Sequence, residues 1–138
     1  MARHTLFVCE LCRFSSTENT WEGRSGGGLL SDQLHQGLTA RGLNDALGLV
    51  PVRCMGACRR HCMLAFSSQG KLTFLFGDLR PGEAATSSAV LDFAEGYVQL
   101  ADGKVPYKQR DPLLQQGMVA VLPPLMETPV SLQTPPSH

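Results

Sequence analysis

Cys54-Met55-Gly56-Ala57-Cys58-Arg59-Arg60-His61-Cys62 sets three thiols at every fourth position, and the chain holds only two more, Cys9 and Cys12. All five cysteines of the 138-residue sequence thus fall into two short clusters. Each cluster opens directly after an apolar, strand-like run, Thr5-Leu6-Phe7-Val8 before Cys9 and Gly48-Leu49-Val50-Pro51-Val52-Arg53 before Cys54. Thiols recruited for packing would scatter along the apolar pattern. Thiols delivered at the ends of two strands read as the two halves of one metal site. Thiolate chemistry leaves two candidates, a four-thiolate iron–sulfur cluster and a four-thiolate zinc.

Outward from this stretch, the periodicity predicts the elements that would carry it. The run ending at Val8 is short, continuous and rich in strand formers, as expected of a buried strand. Arg13 to Gly28 has loop composition and contains the only tryptophan, Trp21, expected to fold over the edge of the core. Leu29, Leu30, Leu34, Leu38 and Leu43 then recur at helical spacing, and Arg41-Gly42 supplies a stop. In the second strand, Pro51 favours a strand start or an edge position. Met63–Phe66 and Lys71–Phe76 are a third and fourth strand, and Ser67-Ser68-Gln69-Gly70 between them is hairpin chemistry. A second helix follows Pro81-Gly82-Glu83, with Val90, Leu91, Ala94, Tyr97 and Val98 on one face and Asp102-Gly103 at its end. Asp111 to Leu122 has an N-cap, Asp111, followed by Pro112, and predicts a short helix packing back on the domain.

The order is strand, helix, strand, strand, strand, helix. A helix between the first two strands makes them parallel, and the hairpin adds an antiparallel pair. This α/β order is that of a trimmed thioredoxin-like fold with a mixed four-stranded sheet and a C-terminal tail. The expected organisation is a cluster-binding domain over residues 1–103, an extension over 104–126 and a disordered tail over 127–138, where Pro, Ser and Thr dominate.

Composition narrows the function classes. With 12 basic and 12 acidic residues the formal charge is zero, which argues against nucleic acid as a partner. No run reaches membrane-spanning length and the N-terminal apolar segment is too short for a signal peptide, so no membrane association and a cytoplasmic location are expected. An odd cysteine count in a reducing compartment favours a metal site over a disulfide framework.

The residues around the thiols bear on what they would hold. Cys9 and Cys12 share one loop and Cys54 and Cys58 the other, and neighbouring strands would bring those loops together. Gly56 permits a tight turn and leaves its N–H to face a sulfur. Four thiolates on an oxidised 2Fe-2S core carry a charge of about −2, becoming about −3 on reduction. Such an anion needs positive groups nearby. Arg13 follows Cys12, and Arg59, Arg60 and His61 stand between Cys58 and Cys62. Positive charge there favours the reduced state and predicts a potential above the roughly −400 mV of plant-type ferredoxins. Cys62 is a surplus thiol: a fifth, exchangeable ligand, an unliganded buried cysteine, or a ligand in place of Cys9 or Cys12.

Cys54-Met55-Gly56-Ala57-Cys58 resembles the second cysteine pair of the thioredoxin-like 2Fe-2S ferredoxins, which include the small subunit of NADH dehydrogenase. The chain is more similar still to a family of small bacterial proteins described as predicted metal-binding. The resemblance rests on Leu6 to Cys12, Cys54 to Phe66, Gly70 to Leu79 and Leu122-Pro123-Pro124. It implies a thioredoxin-like fold, a 2Fe-2S cluster on Cys9, Cys12, Cys54 and Cys58, and a redox partner protein, with a role as reductant in cobalamin synthesis or cobalt metabolism. The C-x-x-C spacing of the first pair is tighter than in those ferredoxins, and the fifth cysteine is an addition, so Cys62 stays a candidate ligand. The sequence leaves the oligomeric state, a homodimer included, open.

Two rivals use the same thiols. A four-cysteine zinc or metal-carrier protein has compatible spacing. A thiol–disulfide oxidoreductase would use Cys9-Glu10-Leu11-Cys12, but the expected glycine-rich loop after it would deprive the thiols of a helix N-terminus, and no proline precedes Lys71. No catalytic residues are expected. His4, His35, His61 and His138 lack metal-pair spacing, Asp78 reads as a turn former, and Gly26 to Gly28 lack the Lys-Ser/Thr of a phosphate loop. The chain therefore does not read as an enzyme.

Overall fold

Buried and half-buried side chains alternate along His4–Cys9, strand β1, whose Leu6 and Val8 have no solvent exposure. The computed structural model describes residues 4–10, 20–21, 23–53 and 62–124. After β1, Thr20–Trp21 (β2) and Arg24–Ser25 (β3) form a small antiparallel ladder. Helix α1, Gly26–Ala40, follows at once. It begins three residues before the apolar periodicity does, so Gly26, Gly27 and Gly28 are helical rather than loop. Ser25 caps it, its Oγ accepting from the Gly28 N–H at 2.9 Å. Leu30, Leu34 and Leu38 form its buried stripe. Gly42 at φ 70 stops it, with the Leu43 N–H donating to Leu38 O and the Gly42 N–H to Thr39 O.

Strand β4, Leu47–Val52, lies parallel to β1, with His4 opposite Leu47 and Cys9 opposite Val52. β5, Leu64–Ser67, and β6, Thr73–Phe76, form the hairpin, with Gly70 at φ 80 in the turn. Helix α2, Ala84–Gln99, lays Phe93 and Tyr97 on the aromatic side chains of the sheet. The Phe66 and Phe93 ring centroids lie 4.9 Å apart, and those of Phe74 and Phe93 lie 5.2 Å apart. The Tyr97 hydroxyl donates to Leu72 O at 2.7 Å, and burial pushes that phenol up to about 12. Lys71 Nζ donates to the Tyr97 and Val98 carbonyls, satisfying the last turn of α2. Arg41, the C-cap of α1, joins the helices through Asp92 and Glu95, both at 2.8 Å.

The C-terminal region corrects two expectations. The helix predicted over 111–122 is only Pro112–Gln116 (α3), capped by Asp111 Oδ1, which accepts from the Leu113 N–H at 3.0 Å. Met118–Leu122 is instead a strand, β7, antiparallel to β6. The sheet therefore has five strands rather than four, in the order β4-β1-β5-β6-β7. Met-Val-Ala-Val-Leu is too short and too β-branched to sustain a helix, and Gly117 breaks the one before it. Gly117 must be glycine: a Cβ there would lie 2.5 Å from the Gly77 carbonyl oxygen. The tail expected from residue 127 lies outside the described residues. Pro51 stands in β4, an edge strand, as its missing N–H requires. No helix among the described residues is long and apolar enough to cross a membrane.

Candidate metal centre

Parallel pairing of β1 and β4 sets the geometry. Because Cys9 registers with Val52, the two strands end level, and Cys54 comes only two residues after Val52 in the sequence. Cys9 is 3% exposed. Its N–H donates to Met63 O at 3.1 Å, and the Glu10 N–H donates to Val52 O at 2.6 Å. Cys9 Sγ lies 3.9 Å from the Arg53 carbonyl oxygen, so the first described thiol faces the backbone that leads into the second cluster.

Cys62 is fully buried at the same end of the sheet. Its backbone exchanges both hydrogen bonds with Leu79: the Cys62 N–H donates at 2.8 Å, and the Leu79 N–H returns to Cys62 O at 3.3 Å. Asp78, with φ 58, stands directly before Leu79 in this pairing. The Cys62 backbone is thus held against Leu79 through both its N–H and its carbonyl.

The N-terminus of α1 closes the site. Ser25 Oγ donates to Glu10 O at 2.7 Å while accepting from Gly28, so one side chain ties the helix start to the end of β1. Gly27 packs against the same backbone, and a Cβ there would overlap the Cys9 carbonyl oxygen. This corrects one expectation: the helix N-terminus denied to the Cys9 loop is present, with its positive dipole end beside an anion-forming residue. The correction follows from the glycine run, read as loop from composition although Ser25 caps it.

Of the ten expected site residues, Cys9 and Cys62 are therefore brought to one end of the sheet. Cys12, Arg13, Cys54, Gly56, Cys58, Arg59, Arg60 and His61 lie outside the described residues. Among the described residues no three His, Cys, Asp or Glu side chains are grouped to hold a metal ion. Buried thiols at converging strand ends are donors of the kind iron–sulfur clusters and structural zinc take. Sequence reasoning missed Ser25, Gly27 and Leu79, whose part is to fix backbone, and for Ser25 the available signal was a small hydroxyl residue just ahead of a helical apolar run.

The fold has solved counterparts. The wild-type thioredoxin-like [2Fe-2S] ferredoxin from Aquifex aeolicus, a crystal structure at 1.5 Å, superposes with a TM-score of 0.52 at 13% identity, covering 87% of this chain and 99% of that one. A second structure of a thioredoxin-like [2Fe-2S] ferredoxin from Aquifex aeolicus gives 0.49 at 13% identity, over 91% and 99% of the two chains. No curated protein matches the sequence. The described elements and this likeness define a thioredoxin-like α/β fold. The chain belongs to the family described as "Protein of unknown function (DUF1636)", whose model matches residues 6–124.

Proposed function

We propose that this protein is an electron carrier that binds a 2Fe-2S cluster through four of its five cysteines. The observation that supports the reading most directly is the level ending of parallel β1 and β4, one finishing at Cys9 and the other two residues before Cys54. The residues that would hold the cluster are Cys9, Cys12, Cys54 and Cys58, with Cys62 as the alternative ligand. When bound, a 2Fe-2S cluster accepts and returns one electron.

The chain's own residues would serve that chemistry by position and charge. Burial of Cys9 and Cys62 keeps water from their sulfurs. Ser25 and Gly27 hold the Cys9–Glu10 backbone in place, so the thiol is oriented before it binds anything. The N–H groups at the start of α1 and the positive charge that Arg13, Arg59, Arg60 and His61 bring to the sequence around the thiols would oppose the negative charge of four thiolates. The start of α1 at Cys9 would equally suit a thiol–disulfide oxidoreductase, but a thiol 3% exposed is poorly placed to attack a substrate disulfide, and that reading ranks lower. A part in cobalamin synthesis or cobalt metabolism, with a redox protein as partner, rests on the family resemblance.

The test is anaerobic isolation from iron-supplied cells, with absorption spectra and iron and sulfide analysis of wild type and each Cys→Ser variant. Red-brown protein with two irons and two labile sulfides per chain supports the reading, as do four variants that lose or alter the chromophore and one that does not. Colourless protein with stoichiometric zinc overturns it.

A further inference from the structure

Helix α2, the segment from Val105 to Asp111 and the side chain of Arg110 line a pocket of about 180 Å³. Arg110 is 8% exposed, one of the few charged or polar residues buried in the described structure. Its guanidinium lies over two rings, 5.3 Å from the Phe74 centroid and 5.6 Å from that of Tyr107. Its Nε donates to Val105 O at 2.9 Å. Nη1 and Nη2 meet no acceptor among the described residues, and no carboxylate pairs with the group. Among the described residues no fully buried side-chain nitrogen or oxygen is left without a partner, so the Nη atoms keep contact with open space. Burial pulls Arg110 toward releasing its proton, yet a guanidinium keeps it at any physiological pH.

A buried cation without an anion is costly, and arginine's parallel N–H groups match a carboxylate in two bonds. The remaining lining decides which anion fits. Ala89, Phe93 and Val105 give an apolar wall. Asp92 and Asp111 also line the space, each already engaged, Asp92 with Arg41 at 2.8 Å and Asp111 with the Leu113 N–H at 3.0 Å. Two aspartates in the lining repel a phosphate dianion more strongly than a singly charged anion. We propose that this pocket binds a small organic monocarboxylate, its carboxylate paired with Arg110 Nη1 and Nη2 and its apolar body against Ala89, Phe93 and Val105.

The test is amide-resolved NMR of the full-length protein titrated with sodium isobutyrate, with sodium phosphate and sodium chloride at equal ionic strength as comparisons. Isobutyrate is expected to shift the amides of Ala89, Phe93, Gln109 and Arg110 and the Arg110 Nε–H saturably, with millimolar affinity for so small a probe. Phosphate and chloride should not reproduce those shifts. Gln109 is exposed and lines the pocket, so Gln109→Glu leaves the fold intact while adding a third carboxylate to the lining, and should weaken isobutyrate about tenfold. Arg110→Met should abolish binding; should it fail to fold, the Gln109→Glu comparison decides alone. Shifts that rise linearly without saturating, that phosphate matches, or that Gln109→Glu leaves unchanged would overturn the proposal.

Discussion

Gly27→Ala sets helix propensity against the packing at the candidate centre. Alanine is worth about 0.8–1 kcal/mol over glycine inside a helix, and less near its start. Opposing this, the new methyl would overlap the Cys9 carbonyl oxygen and lie 3.0 Å from the Glu10 carbonyl carbon. Those are backbone atoms and cannot rotate aside, so either α1 lifts or the end of β1 bends. Overpacking of this kind costs about 1–3 kcal/mol. The same displacement stretches the 2.7 Å bond from Ser25 to Glu10 O, worth about 1 kcal/mol. The expected balance is a loss of about 1–3 kcal/mol, lowering the melting temperature by roughly 3–10 °C for a chain of this size. Far-UV circular dichroism at matched iron and sulfide content measures it. Gly37→Ala is the comparison, since its methyl meets the movable end of the Leu91 side chain. A Gly27→Ala protein as stable as wild type, or more stable, would refute the account of how α1 positions Cys9.

Ser25→Ala removes both the helix cap and the tie to Glu10, and denaturant unfolding should find about 1–2 kcal/mol less stability than wild type. Tyr97 gives a pH signature. With its pKa near 12 in the folded state and about 10 when unfolded, its contribution is complete below pH 10 and is lost as pH rises toward 12. Over that window wild type should lose up to about 2–3 kcal/mol more stability than Tyr97→Phe, in paired unfolding curves. If the cysteines carry a 2Fe-2S cluster, protein-film voltammetry should place its potential above roughly −400 mV, and removing the positive charge of Arg59 and Arg60 should lower it.

How much of this could be read from the sequence follows from which residues act locally. The buried leucine stripe of α1 and its stop at Gly42 declare themselves because a helix buries every third or fourth residue and ends where a positive φ is cheap. Pro51 announced an edge because proline lacks the donor a central strand must supply. The start of α1 was hidden, since three glycines look like a loop until the Cys9 carbonyl, eighteen positions before Gly27, shows why no side chain fits at Gly27. β7 was hidden for the same kind of reason: five apolar residues suit helix or strand, and the choice falls to the open flank of β6, which periodicity does not record. Phe93 is likewise absent from the predicted helix face, though it packs on Phe66, Phe74 and Phe76. At the candidate centre the thiols were legible as chemistry, whereas Ser25, Gly27 and Leu79 act through backbone that only the folded chain brings together.

β7, which covers the outer flank of β6, is also the last of the described strands to be synthesised. Until residue 122 has left the ribosome, Thr73–Phe76 offers a bare row of amide and carbonyl groups with two phenylalanines behind it. Such a row is the template on which nascent chains pair with one another. All five cysteines are synthesised long before that row is covered. A cell making this protein thus holds, for the time it takes to add some forty-six more residues after Phe76, a chain with its thiols in place and its flank unguarded. Chaperone demand and yield on overexpression should therefore follow the integrity of Met118–Leu122 more closely than that of the cysteine loops.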